Sequence, residues 1–211
     1  MNVPRTATVP GATADDLRMM ERCVELSRQA TRDGENPFAC VVCRRDEVIA
    51  EATTRAKRDA DTIRHAEILA LEQAQRKMPA SRLRDCTIYC NVEPCAMCSF
   101  CIRELGLGRV VFALASPIMG GVSKWNILGD EELSASLPEI FHKPPEVIAG
   151  LMEAEAEQVW RDWHPFDWAI IKRRHAIGTP PQLETAAPNV ARKPRWFAGI
   201  MPWRNRRRPK E

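Results

Sequence analysis

The sequence predicts an α/β fold, a layered sheet covered by helices on both faces, and three observations carry that expectation. Short β-rich runs alternate along the chain with segments of helical periodicity, the pattern that packs helices against a sheet. The 211 residues are 45% hydrophobic and 28% charged, enough to close one core. No internal repeat divides the chain into modules. The domain is expected over residues 15–176, preceded by a flexible stretch at 1–14 and followed by a Pro-rich basic tail at 177–211, expected to be disordered.

Each element follows from local chemistry. From Asp15, the positions Leu17, Met20 and Val24, with Met19 and Cys23, trace the apolar face of a helix ending near Gly34. Asn36-Pro37 breaks it, because the residue before a proline is pushed out of the helical region. Residues 38–43 and 47–52 read as two strands around the polar turn Arg44-Arg45-Asp46, a hairpin. A charged loop over 53–64 leads into a second helix carrying Ile68, Leu69 and Leu71, which stops before Pro79. Residues 87–92 form a third strand, broken at Pro94, where proline favours the start of a helix over about 95–105, closed by Gly106 and Gly108. A fourth strand at 110–114 precedes a long loop containing Gly120-Gly121 and Lys124-Trp125-Asn126. A fifth short strand follows at 146–149, and then a helical pattern over about 151–175 that Pro165 interrupts.

Charge and composition exclude several classes. Net charge is +3, and much of the basic surplus sits in the closing stretch Arg204-Asn205-Arg206-Arg207-Arg208-Pro209-Lys210. No uncharged apolar run is long enough to span a membrane, so no membrane partner is expected. The first residues hold no apolar signal-like core, so a cytoplasmic location is the expectation. All eight cysteines lie between Cys23 and Cys101, which reads as reduced thiols and a metal site. Cys40 and Cys43 are three apart on a strand and face opposite ways, so they cannot chelate one ion. Cys86, Cys90 and Cys101 read as core residues. The aromatic stretch around His164, with Trp160, Trp163, Phe166 and Trp168, reads as a packed helix face or an oligomer surface.

Two short segments carry the chemistry. His65-Ala66-Glu67 and Pro94-Cys95-Ala96-Met97-Cys98 stand 30 positions apart, each at a helix start. One imidazole and two thiolates leave a fourth coordination position open, the arrangement of a catalytic zinc. Helix N-termini favour thiolates, which suits Cys95 and Cys98 as ligands. Zinc lowers the pKa of bound water towards 7, and Glu67, free of the metal, is placed to move protons. These residues point to a hydrolase that uses a zinc-bound hydroxide.

The same residues match the His-x-Glu and Pro-Cys-x-x-Cys signature of zinc base deaminases. The chain resembles the cytidine/deoxycytidylate deaminase superfamily, in the branch of tRNA adenosine, guanine and fungal-type cytosine deaminases. The resemblance runs from Asp15 to Leu114, about half the chain. It implies a three-layer cytidine-deaminase-like fold, a five-stranded mixed sheet flanked by helices, and hydrolytic release of ammonia from an amino-substituted ring. It also implies one Zn2+ held by His65, Cys95 and Cys98, with Glu67 as the catalytic proton carrier, and a homodimer. Substrate contacts are expected at Thr54, at backbone groups near Ala66 and Glu93, and at Trp125, which either stacks on a flat ring or plugs its loop.

Two departures bear on the substrate. The family often has asparagine 11 positions before the zinc histidine, where this chain has Thr54; a hydroxyl cannot make an amide's paired contact. Arg64 stands where a small residue commonly precedes the histidine, and reads as a solvated helix-start charge or as a contact to a phosphate or carboxylate. The 115–125 loop matches neither the tRNA nor the guanine branch. The leading expectation is a small nucleobase, nucleoside or related heterocycle. The alternative is adenosine in tRNA, the basic tail gripping phosphates. A third reading, from another class, is a nucleic-acid-binding module that keeps zinc for structure and has lost catalysis.

Overall fold

The computed structural model describes residues 9–178. The chain runs α1 (Ala14–Arg32), β1 (Ala39–Arg44), β2 (Glu47–Thr53), α2 (Ala66–Lys77), α3 (Ala80–Leu83) and β3 (Cys86–Val92). It continues through α4 (Ala96–Leu105), β4 (Arg109–Leu114), α5 (Glu131–Ser136), β5 (Glu146–Ala149), α6 (Glu153–Trp163) and α7 (Pro165–Arg173). The strands form one mixed sheet in the order β2-β1-β3-β4-β5. β1 pairs antiparallel with both β2 and β3, while β3, β4 and β5 run parallel.

Strand alternation divides the core into two layers. Val41, Cys43, Tyr89 and Val111 face Met20, Cys23 and Val24 of α1 and Val159 and Trp160 of α6. Cys40, Val42, Ile88, Cys90 and Phe112 face Ala70, Leu71 and Ala74 of α2 and Ile102 of α4. Cys40 and Cys43 therefore lie on opposite faces of the sheet, both buried.

α1 is fastened at its start. The Thr13 hydroxyl accepts from Asp16 N–H at 3.1 Å, and the Asp16 carboxylate accepts from Thr13 N–H at 2.7 Å, a complete capping box. The same carboxylate accepts from the Tyr89 hydroxyl at 2.7 Å and pairs with the Arg109 guanidinium, tying the helix to β3 and β4. Burial works to raise the Asp16 pKa, but these donors, Arg109 first, overcome it and lower the group to about 2.

Two features differ from the sequence-based expectation. α3 and α5 have no apolar periodicity long enough to announce them; α5 buries no residue and is started by Asp130, whose side chain accepts from Leu133 N–H at 2.9 Å. The interruption expected at Pro165 is present: the pattern over 151–175 divides into α6 and α7, because Pro165 cannot donate to a preceding turn and begins α7 instead. Packing also continues past residue 176: Ile177 is buried, and Gly178 N–H donates to Ala115 O at 2.8 Å. The basic tail from residue 179 onward, including its closing arginines, lies outside the described residues.

The aromatic stretch is packed inward at its centre. Trp160 is buried, with Phe38 edge-on at 5.0 Å and Trp163 edge-on at 5.7 Å. Among the described residues, no helix is long and apolar enough to cross a membrane.

Candidate active site

Both chemistry-bearing segments meet at the C-terminal end of β3. His65 is the N-cap of α2 and Cys95 the N-cap of α4, each in extended backbone with no side-chain capping bond. Their side chains turn toward one another instead, and Cys98 joins from the first turn of α4. His65 Nδ1 lies 3.6 Å from Cys95 Sγ and 3.5 Å from Cys98 Sγ, and the two sulfurs are 3.6 Å apart. Tetrahedral zinc with ordinary Zn–S and Zn–N lengths needs about 3.8 Å between sulfurs and about 3.5 Å from sulfur to nitrogen. The donor triangle fits that ion, and among the described residues it is the one such cluster of metal-capable side chains.

Electrostatics agree. The contact from Cys98 holds the Cys95 thiol down to about 4, with His65 adding to the effect. The same contact pushes Cys98 up, and the Cys95 partner raises His65. Cys95 is thus the more readily ionised of the two sulfurs at these converging helix N-termini, where a cation can bind. Glu67, 8% exposed, stands beside the triangle, and burial pushes its carboxyl up to about 7.

A cavity of about 140 Å³ opens on this cluster. Of the residues expected from sequence, His65, Cys95, Glu67, Thr54, Ala66 and Glu93 line it. Cys98 is fully buried behind them, and Trp125 is 56% exposed, near Lys124 and away from the cavity wall. Thr54 is committed through its proton: Oγ1 donates to Arg64 O at 3.2 Å. Arg64 itself is paired with Asp59 at 3.3 Å.

Glu93 turns its carboxylate into the following loop rather than toward open space. It accepts from the N–H groups of Ser116, Val122 and Ser123 at 2.6, 2.8 and 2.7 Å and from the Ser123 hydroxyl at 2.5 Å. Its own N–H donates to Leu114 O at 2.8 Å. Gly120 and Gly121 pass so close to Glu93 and Ser99 that neither position has room for a Cβ. Gly121 N–H then donates to Pro94 O at 2.9 Å, and Ala96 N–H to Met119 O at 3.2 Å. The loop is in this way latched onto the metal segment, and Met119 becomes part of the cavity wall.

Sequence reasoning did not place Asn36, Phe38, Ala56, Val92 and Ile177 at the site, though they also line the cavity. Asn36 was read there as a helix breaker and, with Pro37-Phe38-Ala39, as resembling the opening strand of guanine and related small-molecule deaminases; Ile177 belongs to the expected tail. The proline after Asn36 was the available signal, since it fixes the backbone at the mouth of β1.

Comparison with known proteins agrees with this geometry. The cytidine and deoxycytidylate deaminase zinc-binding region matches residues 13–114. A tRNA-specific adenosine deaminase of Bacillus subtilis is 32% identical over 145 residues, covering 68% of this chain and 84% of that protein. The tRNA-specific adenosine deaminase subunit tad2 of Schizosaccharomyces pombe is 30% identical over 146 residues, covering 69% of this chain. The chain spans only 36% of that longer relative. The solved guanine deaminase of Nitrosomonas europaea superposes with a TM-score of 0.53 at 26% identity, over 77% of this chain and 88% of that one.

Proposed function

The chain belongs to the cytidine and deoxycytidylate deaminase family, and from that premise we propose that it hydrolyses the amino group of a nucleobase, nucleoside or related heterocycle, releasing ammonia. The observation that carries this reading is the triangle His65–Cys95–Cys98, with a buried carboxyl, Glu67, beside it in one cavity. A zinc ion held by those three residues would supply Lewis acidity, making water acidic enough to act as a nucleophile at neutral pH.

The chain's own groups do the rest. Glu67 accepts a proton from the attacking water while the water oxygen bonds to the ring carbon bearing the amino group. Glu67 delivers that proton to the ring nitrogen next to that carbon; the second water proton then passes through Glu67 to the amino nitrogen, the C–N bond breaks, and ammonia leaves a ring carbonyl beside a ring N–H. Burial of Glu67 among Ala66, Val92 and the cavity wall keeps bulk water from competing for the proton. The test is an ammonia-release screen of the zinc-loaded protein over cytosine, guanine, adenine, their nucleosides, aminated triazines and a tRNA anticodon stem-loop. Release from at least one is expected; silence across the whole set would sink the reading.

The B. subtilis and S. pombe relatives, named for tRNA, favour a second reading in which the substrate is adenosine within tRNA. Deleting residues 194–211 should then abolish salt-sensitive tRNA binding, and a full chain that binds no tRNA at low salt would exclude it. The inactive zinc module is disfavoured by Glu67, which such a module has no need to bury. The reading extends to a homodimer in a reducing, cytoplasmic setting. Exposed Met97, Phe100, Ile118 and Trp125 suit a covered surface, and the eight unpaired thiols suit a reducing compartment.

A further inference from the structure

The polar side chains lining the cavity can be assigned one by one. His65 and Cys95 belong to the metal triangle, and Glu67 to proton transfer. Glu93 gives its carboxylate to the 116–123 loop. Ser116 gives its N–H to Glu93 and its hydroxyl proton to Ala176 O at 3.2 Å. Thr54 has donated its proton to Arg64 O, so toward a ligand it can only accept. Asn36 is different: it lines the cavity, and among the described residues its amide makes no hydrogen bond, which leaves a donor and an acceptor both available.

The backbone under Asn36 is clamped on both sides. Asn91 donates to Pro37 O at 2.7 Å and accepts from Ala39 N–H at 2.8 Å. Phe38 N–H donates to Asn36 O at 2.8 Å. Just before it, the Glu35 carboxylate accepts from the N–H groups of Lys57 and Arg58 at 3.2 and 2.7 Å. Thr54 N–H donates to Phe38 O at 3.0 Å, which sets the Thr54 and Asn36 positions at the same end of the β1–β2 pair. An unpaired amide on a clamped backbone is a prepared contact, because little ordering is left to do when a ligand arrives.

We propose that Asn36, with Thr54 as a second acceptor, is the specificity-determining residue of this site, and that it selects a free base carrying a lactam edge, a ring N–H beside a C=O. Asn36 Nδ2 donates to the carbonyl and Oδ1 accepts from the N–H. This rests on the deaminase reading and narrows it. The cavity volume agrees: an apolar cavity of about 150 Å³ takes up benzene, so about 140 Å³ holds one six-membered ring and leaves any fused ring or sugar at the mouth. Adenosine fits poorly. Its ring nitrogens only accept, and the paired contact that adenine offers an amide uses N6, the group that has to leave. Sites built around such pairs reject partners lacking the edge strongly, by on the order of 10⁴ in favourable cases.

The experiment compares the zinc-loaded wild type with Asn36→Ala and Asn36→Asp. The second variant keeps the shape and an acceptor but loses the donor. Ammonia release is followed from cytosine, guanine and isocytosine, and from adenine, adenosine and a tRNA anticodon stem-loop. Binding of the lactam rings uracil and hypoxanthine is measured in parallel by calorimetry. The expected result is turnover of at least one lactam base, at least 100-fold preference for it over adenosine in either form, and a KM raised tenfold or more in both variants. In the variants, kcat should stay within about threefold and zinc content should not change. Ring binding should weaken by the same tenfold. A KM and ring affinity in Asn36→Ala within twofold of wild type would overturn the assignment, as would a preference for adenosine or no binding of either ring to the wild type. If no compound releases ammonia while uracil or hypoxanthine binds in an Asn36-dependent way, the edge reading stands and the deaminase reading fails.

Discussion

Single atoms decide what this site can do. Three donors at mutual distances of 3.5 to 3.6 Å are the right size for one tetrahedral ion, and each is delivered by a helix start rather than by a loop. Removing one should therefore remove the ion. Cys95→Ala is expected to drop zinc from about one per chain to a small fraction and to lower the melting temperature by several degrees, because metal affinity is folding free energy. Metal analysis and a thermal melt check it, and full zinc occupancy in the variant would mean that the ligand set is wrong. Glu93 acts at the same scale but on the backbone. Glu93→Gln turns an amide donor toward N–H groups that need an acceptor, at a cost of about 1–3 kcal/mol. We expect a lower melting temperature and a higher KM, since the loop that carries Met119 to the cavity loosens. An unaltered melt and KM would show that the four bonds to Glu93 do not hold the loop.

At the scale of elements, the fastening of α1 gives a pH prediction. The folded pKa of Asp16, about 2, lies below its ordinary value of 3.8, so the carboxylate stabilises the fold above pH ~4. That contribution disappears as pH falls from about 4 toward 2, when the group protonates in the folded state too. Asp16→Asn should cost about 2–4 kcal/mol at pH 7, because it leaves the Arg109 guanidinium half-partnered and breaks the capping box. Denaturant midpoints at pH 7, 4 and 2.5 check it. Wild type and variant should converge at the acid end, and a constant gap would show that Asp16 does not titrate as described. The principal elements were legible in the sequence for the same kind of reason: amphipathic spacing from Leu17 to Val24, β-rich runs on either side of Arg45, and the proline and glycines that bracket α4. α3 and α5 were not legible, being too short to carry a period. Nor was the path of the 116–128 loop, because it is held by Glu93, a residue more than 20 positions earlier in the chain.

Over the whole molecule, the division of labour becomes clear. The metal triangle and Glu67 could be read from spacing because two helix starts fix them locally. The substrate wall could not, because it is assembled from distant places: Asn36 before β1, Thr54 after β2, Met119 in the loop after β4, and Ile177 beyond α7. Reading the fold from sequence thus gives the reaction more readily than the ring. The substrate residues named from sequence were partly displaced by the three-dimensional arrangement. Trp125 is exposed and not among the residues lining the cavity, while Asn36 lines it and, among the described residues, its amide makes no hydrogen bond. The central claim is that a zinc site and one buried carboxyl together make this chain a hydrolytic deaminase. The most direct test measures zinc content and ammonia release side by side in wild type and Glu67→Gln, on any base the wild type accepts. The account predicts about one zinc per chain in both proteins, with ammonia release in the variant reduced by at least about 10³-fold. Zinc retained together with undiminished ammonia release would contradict it.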